Sequence, residues 1–150
     1  MLINWKDIQV EWGDCDPAGI VYFPRYFEYG DSCTRALFEK AGLAKRDLLE
    51  KYGIAGIPMV DLRAQYYVPS QYGDVVHVES CIAQWGRTSF TVHHKFHKGH
   101  MLAVELFEKH AWVLQVSKNP ARFKAHPIPQ EIKDLFAGEP AGQPASALVA

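Results

Sequence analysis

The sequence predicts an α+β domain in which a mainly antiparallel sheet packs against one long helix. Three observations lead there. From Pro24 to Leu43, apolar residues recur at three- and four-residue steps. From Gly56 onward the period switches to two and holds through several runs of β-forming residues. The 150-residue length allows one hydrophobic core but not two.

In chain order, Ile3–Trp12 is mixed apolar and polar and reads as a first strand. Gly13-Asp14-Cys15-Asp16-Pro17-Ala18-Gly19 reads as a loop, because Gly, Asp and Pro crowd together there. Pro24 suits a first helical turn, where a missing N–H costs nothing. Tyr26, Tyr29, Cys33, Ala36, Leu37 and Ala41 form the expected inner stripe, flanked by Phe27 and Phe38, and Gly42 is a C-terminal stop. A shorter helix is expected over Lys45–Tyr52, ending before Gly53. Pro58, Val60, Leu62, Ala64, Tyr66 and Val68 then share one face of a strand. Further strands are expected over 75–85 and 88–97, with Phe90, Val92, His94 and Phe96 aligned. Lys98-Gly99 signals a tight hairpin. Met101–Val116 reads as one long strand with Glu108 and His110 interrupting its apolar face, and Lys118-Asn119-Pro120 as the end of the sheet. Residues 129–136 suit a short helix. The domain is expected to span 1–136, with 137–150 a flexible tail of small residues, Gly and Pro.

Composition excludes several classes. Lys plus Arg is 16 and Asp plus Glu is 17, so no overall positive charge points to nucleic acid. There is no apolar run of membrane-spanning length and no signal-peptide pattern. Three widely spaced cysteines, Cys15, Cys33 and Cys81, favour neither a disulfide framework nor a zinc site, and a reducing, cytoplasmic setting is expected.

The loop before the long helix is the main candidate for chemistry. It places Asp14 and Asp16 on a turn with little bulk, beside a helix start that offers free N–H groups and partial positive charge. A carboxylate facing such donors suits attack on a carbonyl. By spacing alone, turn hydrogen bonding explains a D-x-D pair better than chemistry does.

The run Glu11–Arg35, EWGDCDPAGIVYFPRYFEYGDSCTR, resembles the signature of hotdog-fold acyl-CoA thioesterases of the 4-hydroxybenzoyl-CoA type. The resemblance continues through Gly53–Pro58, Tyr72–Val75 and Trp85–Phe90 and covers roughly residues 8–136. It implies a hotdog fold, with an antiparallel sheet wrapped around one long helix. It also implies an acyl-CoA substrate, no cofactor or metal, and a homo-oligomer, dimer or tetramer, with the acyl site shared between subunits. The catalytic carboxylate falls on Asp16 and the polarising amide on the backbone N–H of Phe23, leaving Asp14 to organise the loop. Asp31 falls where an acidic group meets a phenol hydroxyl, although by spacing it also suits an i,i+4 pair with Arg35. Arg87 falls at the turn that contacts the CoA phosphates, which Lys118, Arg122 and Lys124 could supplement.

Two other functions fit parts of the pattern: a non-catalytic acyl-CoA-binding or scaffold protein on the same fold, and a magnesium-dependent phosphatase using D-x-D. The second lacks a downstream Lys and acidic metal-site pattern. His93, His94, His97 and His100 invite a metal, but His93 and His94 should face opposite sides of one strand. Cys15 has no basic partner nearby in sequence to activate it as a nucleophile.

Overall fold

The long helix, α1 (Arg25–Lys40), crosses the inner face of the sheet, and the computed structural model describes residues 1–138 around it. Pro24 takes a helical conformation at the cap. The far end closes with two backbone bonds, Leu43 N–H to Phe38 O (2.9 Å) and Gly42 N–H to Glu39 O (3.0 Å). That closure needs the positive φ of +84° that Gly42 supplies. The helix α2 (Lys45–Tyr52) follows within its expected bounds.

Five strands form an antiparallel sheet: β1 (Asn4–Gln9), β2 (Met59–Tyr66), β3 (Val75–Trp85), β4 (Ser89–Lys98) and β5 (Met101–Ala111), in the order β1-β3-β4-β5-β2. Phe90, Val92, His94 and Phe96 are all buried on the inner face, as their alternation predicts. The β4–β5 turn is Gly99-His100, with Lys98 paired to Met101, so His97 lies opposite Leu102 rather than beside His100.

Four expectations need correction. The first strand stops at Gln9, and residues 12–14 form a tight 3-10 turn with Trp12 exposed. Val60 is exposed because the pairing of β2 with β5 slips between Met59 and Asp61. The long strand after Met101 is two strands. Trp112, 1% exposed, turns into the core, donates to Thr88 O (2.8 Å) and accepts from His126 N–H (2.9 Å). The chain then leaves the sheet as β6 (Val113–Lys118), which pairs with β7 (Ala121–Ala125) in a separate hairpin. Lys118-Asn119-Pro120 is therefore a turn within that hairpin. The fourth correction concerns the inner stripe of α1, which is Tyr26, Gly30, Cys33, Thr34, Leu37 and Phe38, while Tyr29 and Ala36 are only half-buried.

Gly30 explains that rotation. A Cβ there would run into Leu106 Cδ2 and lie 3.2 Å from Glu108 Oε2, so the helix can approach the sheet this closely only without a side chain. A last helix, α3 (Gln130–Leu135), packs Ile132 and Phe136 into the core. The tail expected over 137–150 lies, from residue 139 onward, outside the described residues.

Beneath Gly30 the core is polar. Glu108 is fully buried, and its Oε1 accepts from Thr34 Oγ1 (2.6 Å) and His94 Nε2 (2.6 Å). Ser80 Oγ lies 2.6 Å from His94 Nδ1, and His110 Nε2 lies 3.7 Å from Glu108 Oε1. Burial alone would raise the Glu108 carboxyl, but interactions with His110, His94 and Thr34 outweigh it and hold it down at about 2. The native state thus favours the carboxylate more than the unfolded chain does, where the ordinary value is 4.5. The stabilisation is present above about 4.5 and is lost as the pH falls toward 2, on the order of 3 kcal/mol in total. Glu108→Gln should therefore lower Tm at neutral pH, and its deficit relative to wild type should shrink as the pH approaches 2. Thermal unfolding across that range measures it, and a deficit independent of pH would contradict the assignment.

Candidate active site

The loop between β1 and α1 folds as a miniature hairpin. Tyr22 N–H donates to Asp14 O (2.8 Å), Cys15 bridges Val21, and Asp16 N–H donates to Ile20 O (2.9 Å). Pro17-Ala18-Gly19 is its tip. The hairpin is moored to the segment before β3 by the Ile20–Gln71 bridge and by Val21 N–H to Ser70 O (2.8 Å).

Both aspartates make turn hydrogen bonds, and they differ in what remains. Asp16 Oδ1 accepts from Ala18 N–H (2.8 Å), which fixes the side chain and leaves Oδ2 without a partner among the described residues. The residue is half-buried. Asp14 spends its carboxylate on structure: Oδ2 accepts from Glu11 N–H (2.9 Å) and Tyr29 Oη (2.7 Å), and Oδ1 lies 3.8 Å from Arg25 Nε. The Cys15 thiol lies 3.8 Å from Glu11 O.

The first turn of α1 satisfies its own amides. Arg25 N–H donates to Tyr22 O (2.8 Å), Tyr26 N–H to Phe23 O (3.3 Å) and Phe27 N–H to Pro24 O (3.1 Å). Pro24 has no N–H. The Phe23 N–H meets no acceptor among the described residues, and the Phe23 side chain is 56% exposed. An uncommitted donor thus stands at the head of α1, on the strand that returns from Asp16.

The other two candidates lie further off. Asp31 is exposed and pairs with Arg35 at 3.6 Å. It stands at the rim of a cavity of about 590 Å³ whose walls include Thr34, Phe38, Ile54, Ile57, His110 and Phe123. Neither Asp16 nor Phe23 lines that cavity. Arg87 is exposed in the β3–β4 turn. The site loop borders the opposite end of β3, through Val10 N–H to Asp74 O (2.8 Å). Ten residue steps at about 3.3 Å put Trp85, two residues before Arg87, roughly 33 Å from that end, so one chain does not bring Arg87 to Asp16. Arg122 and Lys124 are exposed on β7. Of the four histidines from His93 to His100, three each lie against a carboxylate, His93–Glu105, His94–Glu108 and His97–Glu79, the second of these carboxylates shared with His110.

Residues 10–136 match the model of the thioesterase-like superfamily. The chain belongs to that superfamily. A relative, the 4-hydroxybenzoyl-CoA thioesterase of Pseudomonas sp. (strain CBS-3), is 42% identical over 87 residues, which cover 57% of this chain and 62% of that protein. The alignment thus spans less than two thirds of that relative's length. A 1,4-dihydroxy-2-naphthoyl-CoA hydrolase of Prochlorococcus marinus (strain NATL2A) is 28% identical over 95 residues, 59% of this chain and 61% of that protein. Among solved structures, an aspartate-to-asparagine variant of 4-hydroxybenzoyl-CoA thioesterase, complexed with 4-hydroxybenzoyl-CoA, superposes with a TM-score of 0.84 at 29% identity. That match covers 91% of this chain and all of the other. The architecture is accordingly the hotdog fold, with α1 as the enclosed helix.

In this thioesterase-like chain, sequence reasoning missed two groups of residues. Thr34 and His110 line the cavity, and their only signal is a polar residue at a position whose period makes it inward-facing. Tyr29 reaches Asp14 across fifteen residues, a contact with no sequence signature.

Proposed function

We propose that the protein hydrolyses an aromatic acyl-CoA thioester, with 4-hydroxybenzoyl-CoA as the substrate, to the free acid and CoA. The observation that carries this reading is the uncommitted Phe23 N–H at the head of α1, on the same short hairpin as the half-free Asp16 carboxylate. The thioester oxygen accepts from the Phe23 N–H, where developing negative charge is stabilised by a donor fixed in advance. Asp16 then attacks the carbonyl carbon, expelling the CoA thiolate and leaving an anhydride for water to cleave. Alternatively, it takes a proton from the attacking water. A thiolate leaves readily, so this chemistry needs no metal or cofactor. That a relative binds 4-hydroxybenzoyl-CoA as an aspartate-to-asparagine variant supports an aspartate at the centre of the reaction.

Asp31 is assigned to the ring hydroxyl and Arg87 to the CoA phosphates. With about 33 Å of β3 between the site loop and Arg87, the phosphate contact belongs to the site of another subunit. The exposed aromatic rim around the hairpin supports a homo-oligomer, since Trp12, Tyr22, Phe23 and Tyr72 are each 48% exposed or more.

Three outcomes follow. Asp16→Asn should preserve fold and substrate binding and lower turnover by about 10² or more in a CoA-release assay, since the change conserves shape and removes the nucleophile or base. Near-normal turnover in a clean preparation would remove Asp16 from the mechanism. Wild type should prefer 4-hydroxybenzoyl-CoA to benzoyl-CoA in kcat/KM, and Asp31→Ala should narrow that preference, because an acceptor left unpaired discriminates against a ligand lacking the donor. An unchanged ratio would reduce Asp31 to the partner of Arg35. Light scattering at micromolar concentration should give a dimer or tetramer, and a fully active monomer would contradict the shared site.

A further inference from the structure

We propose that Tyr29 is a positioning residue for this reaction, holding Asp16 and the Phe23 amide in one geometry through its hydrogen bond to Asp14. The proposal rests on the hydrolytic reading above and extends it to a side chain outside the catalytic pair.

Rigidity lies on the helix side of this contact. Tyr29 sits on α1, its ring edge-on to Tyr26 at 5.7 Å, and Tyr26 is edge-on to Phe96 at 5.5 Å. Tyr26 is 3% exposed and Phe96 fully buried, so the Tyr29 hydroxyl projects from a fixed core. The hairpin it meets is mostly exposed: Trp12, Gly13 and residues 17–20 all face solvent. Between the two stands Asp14, which takes the Tyr29 hydroxyl and the Glu11 N–H on one carboxylate oxygen and the Tyr22 N–H on its carbonyl.

Asp14 is therefore two residues before the carboxylate and, through Tyr22, one residue from the amide. A displacement of Asp14 moves both groups relative to each other. Arg25 adds a second tie, with Nη2 3.4 Å from Gly13 O and a buried Nε 3.8 Å from Asp14 Oδ1. Burial, together with the Asp14 carboxylate, pushes the Tyr29 phenol far above its ordinary range, so it stays a donor. Misplacement of reacting groups by about 1 Å can cost on the order of 10²-fold in rate. A loosened hairpin should consequently appear in kcat before it appears in ground-state binding.

Tyr29→Phe keeps the ring and removes only the hydroxyl. Its kcat on the best substrate of a panel of benzoyl, hydroxybenzoyl, phenylacetyl and fatty acyl-CoAs should fall by about tenfold or more, with KM within about twofold of wild type and Tm little changed. Asp14→Ala, which removes the acceptor itself, should lower kcat at least as much, and the double variant should be no slower than Asp14→Ala alone, since the Tyr29 hydroxyl then has no acceptor left to lose. Hydrogen exchange gives a readout independent of turnover: in Tyr29→Phe the Tyr22 amide should exchange faster, while the interior of α1 keeps its protection. Wild-type kcat in Tyr29→Phe, or an unchanged Tyr22 amide, overturns the proposal even where Asp16→Asn is inactive and the hydrolytic reading stands. A fall in kcat matched by a loss of Tm overturns it in favour of a general stability role. A wild type that releases CoA from no member of the panel overturns the hydrolytic reading, and the positioning role with it.

Discussion

Everything in this chain is arranged around the place where α1 comes closest to the sheet. At Gly30 the helix carries no side chain, and beneath it lies a fully buried carboxylate, Glu108, that takes hydrogen bonds from the helix through Thr34 and from β4 through His94. A buried charge is tolerated only when it is paired and hydrogen-bonded. These bonds have direction, so they specify which face of the helix points inward, a constraint that apolar packing alone imposes less sharply. The apolar residues on either side, Tyr26 and Cys33 in one cluster and Leu37 and Phe38 in the other, then fall against their own parts of the sheet.

That seam decides where the head of the helix stands, and the hairpin carrying Asp16 is hung from it. The hairpin sends Val21 and Cys15 into the core, and polar links hold the rest of it: Asp14 to Tyr29, Tyr22 to Asp14, Val21 to Ser70. A segment of this kind is precise only while its hydrogen bonds are intact. The Asp16 carboxylate is half-buried and Phe23 is exposed, so both groups stand at the surface of this chain.

Much of the architecture was legible because period and punctuation agreed. The bounds of α2 and β3 and the inward row Phe90, Val92, His94 and Phe96 follow from alternation and glycine stops. The inner face of α1 was misjudged because a close helix–sheet approach requires a small residue, and Gly30 and Thr34 carry no hydrophobic signal. The break of the long strand at Trp112 carries no sequence signal, because an alternating pattern does not reveal which apolar residue will leave the sheet to fill the core. At the site, the loop and its two aspartates were visible in the sequence. Their division of labour was not, since it turns on which oxygen remains free once the hairpin has closed. Glu108 and His110 looked like interruptions of an apolar face, but they are buried members of it, paired with partners from distant parts of the chain.

The departure of the chain at Trp112 has one more effect. The hairpin of β6 and β7 stands apart from the five-stranded sheet, and every residue of β7 is exposed, yet Phe123 from that strand forms part of the cavity wall. While β6 keeps Val113 and Leu114 against the core, part of one wall is thus supplied by its exposed partner strand. Substitution, lengthening or shortening there can reshape the enclosed space at little cost in folding free energy, whereas the opposite wall, made by Thr34, Phe38 and His110, is bound into the seam and cannot vary so freely. Selection acting on this fold has an adjustable side and a fixed side, and new ligand shapes would be expected to arise by drift in the outer hairpin.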